Sequence, residues 1–516
     1  MKYSKILIID GYNDEPGGLG VPPYIDIYPR YIAGAIWSVD KSIKIRYVAV
    51  DEFRYKQWIG KANNYDVAIF IAGVVVPGKY IGGKPVTGEE LKLWAKMLGR
   101  PFKVLVGPAA RWGMGIEGGR KAYSRATFKK AGFDVLVTGD PEIYFHDLIK
   151  YGENYASPYG IRNDYSNVNS FVKIGSRIIR QHPNYGRNLI VEIETYRGCS
   201  RWVSGGCSYC VEPLKGKPIE RDIKGIVEEV LSLYKHGARA FRLGRQADFL
   251  VYGSEGLGVE EWPKPNPDRI EKLLYGIRAH AINLKVLHID NVNPGTIARY
   301  PKEAREALKK IVRYHTPGDV AAFGIESLDP KVIKINNLKV GLEDALRAVE
   351  IVNEVGRKIG YNGMPELLPG INFMLGLPGE TKETNAYNIN FLKELLHRKL
   401  LVRRINIRKL LVIENTRVSG MKHKIGKKER MASKKFINFV RKEFEPKMLS
   451  MVVPRGTIIK DLWVEECKLG FCYARQVGSY PLIVLIRGEF PRLSYISAIK
   501  VKRVHSSRSV EGIPIE

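Results

Sequence analysis

Three cysteines, Cys199, Cys207 and Cys210, lie within twelve positions of this 516-residue chain. They sit in Arg197-Gly-Cys-Ser-Arg-Trp-Val-Ser-Gly-Gly-Cys-Ser-Tyr-Cys210, and the only other cysteines are Cys467 and Cys472. Thiolates grouped this way in a Cys-poor chain point to a metal or an iron–sulfur cluster. Their number decides the chemistry. A closed zinc site or an electron-transfer cluster takes four protein ligands, whereas three leave one metal position open to a reacting group. The competing arrangement is zinc held by the three thiols and a histidine. His182 and His236 are the nearest in sequence, and neither stands at a ligand-like spacing. Cys467 and Cys472 are expected as structural or free thiols.

A loop of this kind needs a scaffold. From 191 to about 416 short apolar runs alternate with helical patterns, and strands are expected at Val191–Tyr196, Ala240–Leu243, Lys285–Ile289, Val320–Ile325, Ile371–Leu375 and Ile405–Leu411. Ile223, Ile226, Val227, Val230, Leu231 and Tyr234 mark one helix, with Gly237 suited to its cap, and Leu342 to Gly356 marks another. Six repeats are too few for a closed eight-stranded barrel, so an open (β/α)6 partial TIM barrel is expected. Its functional residues belong at the carboxyl ends of the strands, where the cysteine loop begins. Residues 1–150 read as an α/β Rossmann-like parallel sheet, with Gly/Pro-rich loops at Gly11–Pro23 and Gly107–Gly119. Neither loop fits a Gly-x-Gly-x-x-Gly fingerprint, so dinucleotide binding is not expected. Residues 151–190 read as a connector with a hairpin over Phe171–Arg180, 417–447 as a basic helical linker, and 448–516 as a small C-terminal β-domain.

The formal charge is +29, and from residue 401 onward 25 Lys/Arg face 10 Asp/Glu. Residues 417–447 carry 11 basic against 3 acidic side chains. Such density fits a polyanion, most simply RNA. A solvated basic surface is the alternative. No apolar run of about 18 residues is present, and the first strand reaches Asp10 too soon for a signal peptide. With cysteine scarce, a reducing cytoplasm is expected.

The cysteine loop resembles that of the radical S-adenosylmethionine (radical SAM) superfamily. Its usual spacing is Cys-x3-Cys-x2-Cys; here four extra residues separate the first two cysteines, and the Cys-Ser-Tyr-Cys end matches. Three further segments extend the resemblance over about 220 residues. Phe241-Arg-Leu-Gly-Arg-Gln-Ala-Asp248 resembles the second-strand segment that touches the methionine moiety. Phe323-Gly-Ile-Glu-Ser327 resembles the fourth-strand segment near the ribose and carboxylate, and Asn372-Phe-Met-Leu-Gly-Leu-Pro-Gly-Glu-Thr381 the fifth-strand motif lining the adenine. The resemblance implies one [4Fe–4S] cluster on Cys199, Cys207 and Cys210, with S-adenosylmethionine chelated to the fourth iron. Its contacts would be Tyr209, Gly244, Arg245, Gln246, Glu326, Ser327 and Asn372. It implies reductive cleavage to a 5′-deoxyadenosyl radical, driven by an electron donor such as ferredoxin or flavodoxin.

A Rossmann-like unit before such a barrel resembles two groups, cobalamin-dependent radical enzymes and methylthiotransferases. The first often carries Asp-x-His-x-x-Gly after its first strand. This chain has Asp10-Gly-Tyr-Asn-Asp14 there, and its first histidine is His146. Cobalamin would have to bind without a protein ligand and is not expected. The second group carries another cluster on N-terminal cysteines; residues 1–198 contain none, so sulfur insertion of that type is not expected. The end of the chain loosely resembles the small RNA-binding β-domain of methylthiotransferases, and the whole chain an archaeal group of radical SAM proteins. The expected substrate is an RNA such as tRNA. A small molecule, lipid or protein side chain is the second reading, and a non-catalytic nucleic-acid-binding protein with a structural metal the third.

Overall fold

The computed structural model describes residues 3–12, 23–74, 81–116, 120–422 and 425–515. Most of the expected loop Gly11–Pro23, with Asn13 and Asp14, lies outside the described residues, as do residues 117–119 of the second loop.

The first sheet has five parallel strands in the spatial order Lys44–Ala49, Lys5–Asp10, Val67–Ile71, Phe102–Val106, Val135–Leu136. Ile6, Leu7, Ile8, Val67, Ala68 and Ile69 are all inaccessible, as continuous apolar runs covered on both faces require. The order 2-1-3-4-5 reverses direction between the strands Lys5–Asp10 and Val67–Ile71. Ligands of open α/β sheets bind beyond the carboxyl ends at such a reversal.

The second α/β unit has six parallel strands: Ile190–Glu194, Ala240–Gly244, Val286–Ile289, Asp319–Glu326, Leu367–Leu375 and Arg404–Lys409. They run in chain order around an open barrel. The third and fourth share no ladder beyond the bridge Asn291↔Ala322, and the Ile289 amide reaches the Asp319 carboxylate at 2.9 Å. The outer edge of the first strand is not bare: Tyr24–Ile25 pairs with Ile190–Val191 in parallel and covers it. Outward residues such as Phe241, Leu243, Phe323, Ile371 and Phe373 are buried against the helices. Inward positions carry Glu192, Arg242, His288, Asp290, Asn372, Asn406 and Arg408, in matching register. The usual TIM-barrel interior is packed with branched apolar side chains. This one is polar, with Gly244, Gly324 and Gly370 leaving room among the charges.

The sixth strand is followed by a helix, Lys427–Phe439, continued through Val440–Phe444 to Val452. Phe436, Val440, Phe444 and Met448 are buried, and the Phe436 ring meets Phe373 of the fifth strand edge-on at 5.2 Å. Lys427, Lys428, Lys434, Lys435, Lys442 and Lys447 are exposed. The basic stretch is therefore barrel wall on one face and solvent on the other.

The expected hairpin at Phe171–Arg180 is absent. Ser166–Gly175 is an α-helix that runs into a 3-10 turn, Ser176–Gln181. Val168, Phe171, Val172 and Gly175 fall at i, i+3, i+4 and i+7 and are all buried. A Cβ on Gly175 would stand 1.9 Å from the Arg30 carbonyl, and one on Gly34 2.1 Å from that of Phe171. The Gly-Ser pair is thus a helix-crossing contact with the helix Ile27–Val39, where only glycine lets the backbones touch.

The chain ends in a closed barrel of five strands: Ile458–Lys468, Phe471–Gln476, Ile483–Arg487, Tyr495–Ser506 and Ser509–Ile515. Their spatial order is 1-2-3-5-4, with the third and fifth parallel and the other pairs antiparallel. That is the arrangement of an OB-fold barrel. Cys467 and Cys472 face each other across the first hairpin as a disulfide. No helix among the described residues is long and apolar enough to cross a membrane.

Candidate active site at the barrel mouth

The cysteine loop leaves the first barrel strand through Tyr196–Arg197 and Gly198, whose φ of +96° suits only glycine. The residues beyond the usual spacing coil into the 3-10 turn Ser200–Ser204, and Gly205 and Gly206, both at positive φ, return the chain to Cys207. A Cβ on Gly206 would stand 2.4 Å from Pro213 Cγ. Arg201 clamps the detour: buried, it donates from Nη1 to Cys207 Sγ at 3.4 Å and from Nη2 to the Asn337 carbonyl at 2.9 Å, and pairs with Glu261 at 3.0 Å. The Ser208 hydroxyl donates to Asn336 Oδ1 at 2.7 Å, while Asn336 Nδ2 reaches the Pro378 carbonyl at 2.8 Å. The loop is thereby tied to the ends of the fourth and fifth strands.

Cys207, Tyr209 and Cys210 share an apolar cluster with Val332, Leu338, Met374, Leu377, Leu410 and Val418. Burial pushes the Cys199 thiol up to about 11 and raises Cys210 further, so these thiols are held protonated until a metal displaces the protons. Among the described residues no three His, Cys, Asp or Glu side chains close on a single metal ion. Cys199 and Cys210 each feel the Cys207 thiol electrostatically. Three thiols without a fourth protein ligand suit a cluster with one iron left open better than a closed four-ligand zinc site. His182 lies against the Tyr47 ring, and His236 ends the helix Ile223–Lys235.

Lys339, which carries no sequence signal, is the cation of this site. Its Nζ sits over Gly324, 2.3 Å from where a Cβ would be. Burial alone would depress its ammonium; Glu326 and the thiols of Cys207, Cys199 and Cys210, once ionised as they are when they ligate a metal, hold it above the usual lysine value. Glu326 stands at φ +68° at the end of the fourth strand. Burial raises its carboxyl despite Lys339, a hydrogen bond with the Tyr209 hydroxyl, and Arg408. Asn372 lies beside Gly324 and Asn406 in register, facing the same interior.

The other candidates sit differently. A Cβ on Gly244 would fall 1.8 Å from Glu192 Oε1, so the strand approaches the interior carboxylate only because Gly244 lacks one. Arg245, at φ +68°, turns toward the N-terminal segment, pairing with Asp26 at 3.1 Å and reaching the Tyr28 hydroxyl at 3.2 Å. Gln246 is buried, donating to the Leu243 carbonyl and accepting from the Thr195 hydroxyl at 3.1 Å. The Ser327 hydroxyl accepts from the Asp329 amide. Asp248, raised to about 6 by burial, fixes the tops of the second and third strands through Leu250 N, Asn293 N and Thr296 Oγ1.

The first sheet looks at this mouth. Val74 and Trp112, beyond the carboxyl ends of its strands, cluster with Val211 of the cysteine loop and Leu411 and Ile413 beyond the sixth barrel strand.

The family model of the radical SAM superfamily matches residues 193–392. An uncharacterized protein of Methanocaldococcus jannaschii is 45% identical over 99% of this chain and 93% of its own length. A tRNA-2-methylthio-N(6)-dimethylallyladenosine synthase of Buchnera aphidicola is 22% identical over 60% of this chain and 62% of its own. Among solved structures, the radical S-adenosylmethionine methyltransferase TsrM of Kitasatospora setae, with cobalamin and a [4Fe–4S] cluster bound, superposes with a TM-score of 0.51 at 15% identity, covering 80% of this chain and 77% of that one. The same fold thus exists in a protein that holds cobalamin, so a missing histidine after the first strand is not enough to set cobalamin aside. With its open six-stranded barrel and three-thiol loop, the chain belongs to the radical SAM superfamily and is a radical SAM enzyme.

Proposed function

We propose that the chain modifies an RNA, with tRNA as the leading class. Cys199, Cys207 and Cys210 would hold a single [4Fe–4S] cluster, and Tyr209, Glu326, Lys339 and Asn372 would line the place of S-adenosylmethionine beside it. Bound at these thiols, such a cluster would supply one-electron chemistry for reductive cleavage of the sulfonium, with the electron coming from an external one-electron donor. The chain's own residues hold the loop rigid, exclude water through the apolar rim and orient the amino-acid end of the cofactor.

The observation that carries the RNA reading is the pairing of two surfaces. One is the exposed lysine face of the sixth barrel helix. The other is the 1-2-3-5-4 barrel that follows it, a fold whose second and third strands and loops take up oligonucleotides. Mass spectrometry of nucleosides from a strain lacking the protein is expected to reveal one modified nucleoside missing from tRNA or rRNA, restored by the intact gene. An unchanged nucleoside profile would move a protein side chain or small molecule to the front.

Docking on the helix gives a second measurement. Each phosphate neutralised contributes about −0.7 to the slope of log affinity against log salt for a single strand. Changing Lys427, Lys428, Lys434 and Lys435 to Ser is expected to flatten that slope for total tRNA by up to about 2–3. Identical slopes would mean a merely solvated basic face.

A second reading concerns the N-terminal sheet. Its reversal point opens toward the barrel mouth, and a protein of similar fold holds cobalamin. A corrinoid bound there without a protein ligand to cobalt would add a methyl carrier to the site and open methyl transfer as a reaction class. Equilibrium dialysis against hydroxocobalamin tests it: retention at one per chain supports the corrinoid, and free passage removes it.

A further inference from the structure

At the floor of the barrel, opposite the thiols, four arginines from three elements lie close together, two of them paired with one carboxylate and two set against Tyr480. Arg403 and Arg404 open the sixth strand, Arg441 stands on the helix that follows it, and Arg508 lies in the turn between the fourth and fifth strands of the terminal barrel. Arg441 Nη1 and Arg508 Nη2 both donate to the Ile405 carbonyl, at 3.2 and 2.7 Å. Both pair with Glu445, at 2.5 and 3.5 Å. Arg403 Nη2 donates to the Tyr480 carbonyl at 3.0 Å, while its buried Nε makes no hydrogen bond. Arg404 stacks over the Tyr480 ring at 4.3 Å.

Part of this arrangement is structural: Arg441, Arg508 and Glu445 cap the free edge of the sixth strand at Ile405, whose amide points to Glu445. Capping one peptide does not require four guanidiniums. With one carboxylate among them the group keeps an excess of three positive charges. Burial lowers Arg403 to about 10, and the neighbouring Arg404 and Arg508 press it in the same direction. Forked donors crowded in this way are the usual receptor for a doubly charged oxyanion. Arg508 keeps nearly half of its side chain in solvent, so the group is reachable. It also sits in the loop that OB-fold barrels present to oligonucleotides and adjoins the lysine face of the sixth helix.

We infer that Arg403, Arg404, Arg441 and Arg508 form an oxyanion site that takes a backbone phosphate of the substrate RNA. The inference rests on the RNA reading and adds to it a fixed anchor. The anchor is on the barrel floor, so one nucleotide would be held there while another reaches the mouth.

The test is salt-titrated binding of total tRNA to the full-length protein and to Arg508→Ser and Arg441→Ser, with Lys309→Ser as a control that removes one exposed charge on a distant helix. Melting curves establish that each variant is folded. Loss of one phosphate contact is expected to flatten the log–log slope by about 0.7–0.9 in each arginine variant and leave the control unchanged. Arg508→Lys, which keeps the charge, should retain the wild-type slope. If the wild type binds tRNA and the arginine variants share its slope, the anchor is wrong while the RNA reading stands. If the wild type does not bind tRNA, both fall. A third arm compares melting in inorganic phosphate and in chloride at equal ionic strength. Protection by phosphate that Arg508→Ser abolishes, with an unaltered tRNA slope, would give the site to a free oxyanion and overturn the RNA assignment.

Discussion

Replacing any one of Cys199, Cys207 or Cys210 with Ala is expected to leave anaerobically reconstituted protein unable to cleave S-adenosylmethionine, a loss of activity to background. The wild type should carry four irons and four sulfides per chain. Two thiolates cannot hold the cluster with one iron open, and the apolar rim of Val332, Leu338, Leu377 and Leu410 offers no substitute ligand. The variants should still fold: the loop is tied down by Arg201, Ser208 and Asn336, none of which needs the metal. Cys467→Ala breaks only the disulfide in the terminal barrel and should retain cleavage near the wild-type rate. Iron and sulfide quantification, the cluster's electron paramagnetic resonance signal and 5′-deoxyadenosine formation check the set. Cleavage surviving in Cys199→Ala would remove the ligand assignment, and about eight irons per chain would mean a second cluster.

The legible parts of the chain are those where one local signal decides the outcome. The heptad-like spacing from Ile223 marks the helix Ile223–Lys235, and the run from Leu342 to Gly356 is the helix observed. All six barrel strands fall within a few residues of their apolar runs because buried parallel strands must be apolar on at least one face. The strands Tyr495–Ser506 and Ser509–Ile515 are not legible. Bulges between Val501 and Arg503 and between Val504 and Ser506 shift the alternation out of phase. Gly175-Ser176 reads as a turn because the reason for that glycine, the Arg30 backbone, lies about 145 residues away.

The candidate site divides in the same way. Cysteine spacing is local, so the thiols are found at once. Lys339 is not, because what distinguishes it is Gly324 and the three thiols, all brought near only by folding. Arg201 looks like one of many arginines until its three partners are in view. Arg245 shares a strand end with Gly244, yet its positive φ swings it toward Asp26 and Tyr28. It is better placed to clasp the N-terminal segment to the barrel than to touch a ligand over the thiols.

Lys339→Met is expected to lower S-adenosylmethionine binding and cleavage by about two orders of magnitude while leaving iron content intact. The side chains have similar length and the methionine is apolar, so the change removes charge with little loss of volume. Without the ammonium, Glu326 is left buried with only the Tyr209 hydroxyl and the more distant Arg408 to oppose its charge. Removing one partner of a buried ion pair costs about 3–5 kcal/mol. Where the survivor escapes by taking up a proton, the cost moves to whatever needed the carboxylate ionised. Burial already raises Glu326 in the presence of Lys339, so the loss of the cation drives it higher. The raised carboxyl is neutral at lower pH and ionises as pH rises through its new pKa, so residual cleavage in Lys339→Met should climb with pH over a range where the wild type is flat. Lys339→Arg keeps a cation and should recover part of the binding, limited by the wider guanidinium against Gly324. Equilibrium binding of S-adenosylmethionine and the change in the reduced cluster's paramagnetic signal on adding it separate a local loss from a lost cluster. Wild-type binding and a wild-type pH profile in Lys339→Met would mean that the charge serves the fold alone.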